Sequence, residues 1–170
     1  MARPATGDYA PFYHNYVEMA KGYSVKELIE SYALPLNNFF QSLPDEKADY
    51  AYAEGKWTIK DLVQHIIDAE RIFAYRALRF SRKDQTNLPG FDENAFAEHA
   101  HASERTFASL KEEFVAVRKS TDLLLQSFSE EQLLLSGLGN NNAITVNAIC
   151  FIIYGHILHH KKILEERYLN

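Results

Sequence analysis

The segment GHILHHKKILEERY (155–168) places His156, His159 and His160 within five positions of an apolar helical pattern. At about 100° per residue, His156 and His160 fall about 40° apart on one helical face. Ile149, Ile152, Ile153, Ile163 and Leu164 lie within about 80° of His156 by the same geometry. Two imidazoles therefore point into an apolar interior, while His159 is displaced toward the edge of the stripe. Side chains at i and i+4 can converge on one ion, so this is a metal-ligand spacing. His65, in VQHIIDAE, shares a face with Leu62, Ala69 and Ile72 and points inward from a second segment. One imidazole from one helix and an HxxxH pair from another compose a three-histidine site with positions left open for water or substrate. Neutral imidazoles suit Zn²⁺, Ni²⁺ and Fe²⁺ alike, so the ligand type does not choose the ion. The competing reading is three hydrogen-bonded core histidines. Against it, burying imidazoles without partners costs free energy at each one.

Several other chemistries are disfavoured. Residues 157–159 read Ile-Leu-His, so the Glu that a zinc protease carries after its first histidine is missing. Di-iron carboxylate bundles need two ExxH motifs, and the chain offers one, Glu98 to His101. No GxSxG is present, and the glycines of SGLGNNN (136–142) lack the spacing and following Lys of a phosphate loop. Cys150 reads as lying on a helix flank without a base, which disfavours a cysteine nucleophile. His14 reads as a surface or interface residue, and His99 and His101 as polar residues near a helix start.

Four helical patterns must position the inward histidines. The first covers about 24–42, with Ser24 as its cap and Pro35 expected to bend it or replace part of it with a tighter turn. The second starts after Trp57, where Thr58 and Asp61 form a loose capping box, and continues to about residue 81. The third covers about 101–127, and the fourth opens near Ile144 and runs almost to the C-terminus. DEKADYAYAEGK (45–56) is a medium loop. The 81–100 connection is longer than packing alone requires, and DENAFAEH within it reads as a short helix. No strand alternation is visible, so the expected fold is all-α: one domain over 1–170, a four-helix bundle with a long crossover between the second and third helices.

Composition is consistent with a globular protein. The 170 residues are 46% hydrophobic and 24% charged, with a net charge of −5 and no basic cluster interleaved with aromatics, which argues against nucleic acid. The longest apolar run, AICFIIYG, is too short to span a bilayer, and the N-terminal segment lacks the pattern of a signal peptide. Cys150 is the only cysteine, which fits a reducing, cytoplasmic setting.

GKWTIKDLVQHIIDAERIFAYRALRF, then LPGFDENAF, then GHILHHKKILEERY resemble the DinB-like (DinB/YfiT) superfamily over about residues 25–168. The resemblance implies a four-helix bundle holding one divalent ion through one His of the second helix and two of the last. Matched residue by residue, these are His65, His156 and His160. It also implies a homodimer and, in some members, transfer of a low-molecular-weight thiol. In the matching segments, Trp57 reads as helix-start packing or a pocket wall. Asp92 reads as a helix cap or as a residue that reaches the metal water or orients a ligand histidine. Glu70 and Arg71 read as solvated or interface residues.

The sequence shows no carboxylate base beside the histidines, which favours a metal-activated thiol attacking a small electrophilic substrate. Metal-dependent hydrolysis is the alternative enzyme reading. A non-enzymatic bundle stapled by its ion is the alternative of another class, and it would need a fourth protein ligand.

Overall fold

A computed structural model describes residues 2–170. The described residues form helices α1 (His14–Met19), α2 (Val25–Gln41), α3 (Ile59–Ser81), α4 (Glu93–Ala100), α5 (Phe107–Gln126), α6 (Glu130–Leu134) and α7 (Val146–Ile163). A hairpin of β1 (Ser136–Gly139) and β2 (Asn142–Thr145) precedes α7, and a π-helical turn over Leu164–Tyr168 continues it. The four-helix bundle consists of α2, α3, α5 and α7: α3 packs on α5 and α7, and α2 packs on the same two. No helix is long and apolar enough to cross a membrane among the described residues.

Local signals set most of the boundaries. The Ser24 hydroxyl accepts from the Glu27 N–H, and Thr145 accepts from the Ala148 N–H. Thr58 and Asp61 form a reciprocal capping box that fixes the first turn of α3, about two turns before His65. Pro35 does not interrupt α2, which is α-helical throughout 25–41. Leu36 and Phe40, both buried just after the proline, anchor that turn to the core and offset the roughly 3 kcal/mol a helix-interior proline costs. The third bundle helix begins at Phe107 rather than about 101. His101 takes a left-handed conformation (φ 50°), a 3₁₀ turn follows, and Thr106 then caps α5.

The hairpin departs from the strand-free expectation. Its strands pair from Ser136↔Thr145 to Gly139↔Asn142, and four residues are too few for a two-residue period to register in sequence. Asn140 and Asn141 carry φ of 50° and 62°, the left-handed pair that a two-residue type I′ turn requires. The hairpin grips the crossover. The Leu88 N–H donates to the Leu138 carbonyl and the Asn140 N–H donates to the Leu88 carbonyl, each at 2.8 Å. Arg76 Nη2 donates to the Pro89 carbonyl at 2.7 Å. These bonds tether the crossover just ahead of α4.

The core is densest along α7, whose residues from Val146 to Ile157 are all buried. Beside it is a buried ion network that corrects the reading of Glu70 as solvated. Glu70 is 2% exposed and accepts from Arg118 Nη1 at 2.8 Å. Arg118 also pairs with Asp122, which accepts from the Tyr154 hydroxyl at 2.6 Å. Burial pushes the Glu70 carboxyl up, and the Arg118 guanidinium opposes that shift. The pairing ties α3, α5 and α7 together. Helical periodicity missed it because the partner that makes burial of Glu70 tolerable lies 48 residues away. Cys150 is likewise wholly buried rather than on a flank, and burial pushes its thiol up.

Candidate metal centre

His65 of α3 and His156 and His160 of α7 are buried together, with one potential ligand atom of each lying within 4.8 Å of the others. The Nε2 atoms of His65 and His156 are 3.0 Å apart, and those of His156 and His160 are 3.1 Å apart. Two nitrogens bound tetrahedrally to one ion at about 2.05 Å would be about 3.3 Å apart. The cluster is thus already near the spacing a divalent ion requires.

Burial also prepares the donors. Desolvation, reinforced by the field of His159, pushes His65 down to about 4. Desolvation holds His156 and His160 well below the ordinary histidine value, and the neighbouring imidazoles push the same way. At neutral pH all three are uncharged, and a neutral imidazole is the form that offers a lone pair to a metal. His160 Nδ1 is buried without a hydrogen-bond partner among the described residues. Its ring is oriented instead by packing, 4.9 Å from His65 and 5.1 Å from His159 between centroids. A trio of buried, neutral, convergent nitrogens fits a divalent ion.

The surroundings are aromatic. Trp57 packs against His65 with the rings tilted by 41° and 4.8 Å between centroids, and it lines the adjoining cleft, so it walls the site. Phe73 meets His156 edge-on at 6.0 Å. Tyr16 of α1 lies edge-on to His156 at 5.5 Å and 5.4 Å from His159. That contact depends on Gly155: a Cβ there would run into the Tyr16 backbone, so only glycine lets α1 approach α7 this closely. Burial, then the negative charge of Glu93, raise the Tyr16 phenol above its ordinary value.

A cleft of about 250 Å³ opens beside His160, bordered by Tyr52, Trp57, Tyr168, Glu93 and Asn94 among others. Larger hollows of about 580 and 610 Å³ lie against α2 without a histidine, and hollows of about 420 and 310 Å³ are each bordered by a single one, His99 and His101. Donor chemistry, not volume, picks out the site.

The remaining sequence candidates are placed as follows. Asp92 caps α4, accepting from the Asn94 and Ala95 N–H groups at 2.9 and 3.1 Å. Its neighbour Glu93, which sequence reasoning passed over, is the carboxylate that borders the cleft. His159 is half-buried at the stripe's edge and outside the cluster. His14, His99 and His101 are exposed, and Arg71 pairs with Glu113 at 2.5 Å.

Comparison with known proteins agrees with this architecture. Over 70 residues the chain is 36% identical to a proposed metal-dependent hydrolase of Oceanobacillus iheyensis, a match covering 41% of this chain and only 40% of that protein. The structure of YfiT from Bacillus subtilis, described as a probable metal-dependent hydrolase with an unusual four-helix bundle topology, superposes with a TM-score of 0.67. That likeness covers 83% of this chain and 86% of the other at 18% identity, and so shows the shared fold. The sequence profile of the DinB superfamily matches residues 35–164, about three quarters of the chain, and the protein belongs to that superfamily.

Proposed function

We propose that the protein is a metal-dependent enzyme acting on a small molecule, with His65, His156 and His160 as the ligands of one divalent ion and hydrolysis as the reaction. The observation that supports this best is three buried, neutral, convergent imidazoles beside a cleft that a carboxylate also borders. Bound there, a divalent ion would supply Lewis acidity toward a substrate oxygen and lower the pKa of water. The chain's own groups supply the rest. Trp57, Tyr52 and Tyr168 give the cleft aromatic surfaces against which a substrate can pack. Glu93 provides, at its carboxylate, an acceptor for the proton that attacking water gives up. Only three ligands converge among the described residues, which favours a working site over a closed structural one.

The thiol-transfer reading rested on the family resemblance and on the lack of a carboxylate beside the histidines, and Glu93 at the cleft border weakens the second motive. The test is turnover of a panel of small esters, amides and lactones by protein loaded with Zn²⁺, Ni²⁺ or Fe²⁺, with and without a low-molecular-weight thiol. Metal-dependent, thiol-independent turnover that falls in Glu93→Gln supports hydrolysis. Turnover of electrophiles only when thiol is added would instead establish transfer. We also infer a homodimer, which would cover exposed Phe12, Tyr75 and Leu78; a monomeric mass at micromolar concentration would refute it.

A further inference from the structure

The centre has a wall that neither the ligand set nor the cleft accounts for. Tyr16 lies on α1, outside the residues 35–164 that carry the family match, yet its ring packs against His156 and His159. Its placement is strict, because the backbone that carries it rests on Gly155, one residue from His156. The ring is half-buried, and its hydroxyl makes no hydrogen bond among the described residues. Trp57, on the His65 side, likewise carries an indole N–H with no protein acceptor. Two aromatic donors therefore flank the three histidines from α1 and from the start of α3, each with an uncommitted N–H or O–H. A phenol held against a ligand histidine without a protein partner has its hydroxyl available for whatever occupies the centre.

We propose that Tyr16 is a positioning and specificity-determining residue for the three-histidine centre, donating its hydroxyl to an oxygen of a small carbonyl- or carboxylate-bearing ligand. This rests on the metal-centre reading above and extends it to a ligand class. A ligand that offers the hydroxyl an acceptor gains a hydrogen bond that one without it lacks, so the centre should discriminate by oxygen acceptors and not by size alone. The aromatic ring and the hydroxyl have separable tasks: the ring packs on His156, and the hydroxyl selects.

The experiment uses the full chain loaded with Co²⁺, whose visible absorption reports ligand binding without turnover. Acetohydroxamate, which carries a carbonyl oxygen, is titrated into the native protein and into Tyr16→Phe, which keeps the ring. The loss of one hydrogen bond should raise its Kd about tenfold in Tyr16→Phe. Cobalt stoichiometry and the ligand-free spectrum should not change. Imidazole, which coordinates but has no oxygen acceptor, should bind both proteins alike. Equal hydroxamate affinities, or hydroxamate and imidazole weakened together, overturn the proposal while leaving the metal centre standing. A native protein that binds cobalt but not hydroxamate overturns it as well. Failure of the native protein to take up cobalt overturns both readings.

Discussion

Replacing Gly155 by alanine tests the link between the N-terminal segment and the metal centre, because two effects of opposite sign compete. In a helix interior, Gly→Ala stabilises by about 1 kcal/mol through backbone entropy. Gly155 lies in the middle of α7, so on local grounds the variant should gain stability. The packing argues the reverse. An added Cβ would fall 2.7 Å from the Tyr16 Cα and nearer still to its carbonyl group. Ordinary carbon–carbon contact is about 3.5–4.0 Å, so α1 must retreat by about 1 Å or more. Overpacking of this kind costs about 1–3 kcal/mol, and here it acts on backbone, which yields less readily than a side chain. A backbone clash belongs at the upper end of that range, so packing should win, with a net destabilisation of about 2 kcal/mol in urea unfolding and faster proteolysis of residues 2–20. A Gly155→Ala protein as stable as the native one, or more stable, would show that α1 does not rest on α7 and would remove Tyr16 from the site.

Three further expectations concern the ligands and the buried charges. His65→Ala, His156→Ala and His160→Ala should each lower affinity for a divalent metal by more than the roughly 10–100-fold typical of losing an outer-sphere partner. His159→Ala should stay below tenfold by the same measure, and equal losses in equilibrium dialysis would show that the wrong pair was chosen. Arg118→Ala strands Glu70 and Asp122 as uncompensated buried carboxylates and should cost about 3–5 kcal/mol in chemical denaturation; a loss below about 1 kcal/mol would refute the network. In metal-free protein, His65 binds its proton near 4 when folded but near 6.5 when unfolded. The unfolded chain therefore takes up more protons between those values, and stability should be intact above about 6.5 and fall as pH drops toward 4. The contribution of His65 to that fall is about 3 kcal/mol. His65→Gln should show a shallower acid slope, and an unchanged slope would contradict the burial of His65.

What could be read from sequence and what could not divides along the range of the interactions involved. His156 and His160 were assignable to one inward face because helical period is local, and the capping residues Ser24 and Thr58 marked where two of the bundle helices begin. The His65 face was assignable for the same reason. The convergence of the two helices on one point is a tertiary fact, and it was accessible because a buried imidazole must find a partner and because the family resemblance implies the same three ligands. No comparable rule pointed to Tyr16, Glu93 or Arg118. Tyr16 reaches the centre through a glycine 139 positions later, and nothing near residue 16 reports that contact. Glu93 looks like any acidic residue in a first helical turn, and it borders the cleft because the Leu88–hairpin pairing and the Arg76–Pro89 bond hold the crossover. Arg118 and Glu70 each look solvated until they are seen as a pair. Residues whose roles follow from their own helix were therefore readable one segment at a time. Those that shape the approach to the histidines owe their positions to contacts between distant segments, and substitutions at Gly155 or in the hairpin should alter ligand selection while leaving the three histidines in place.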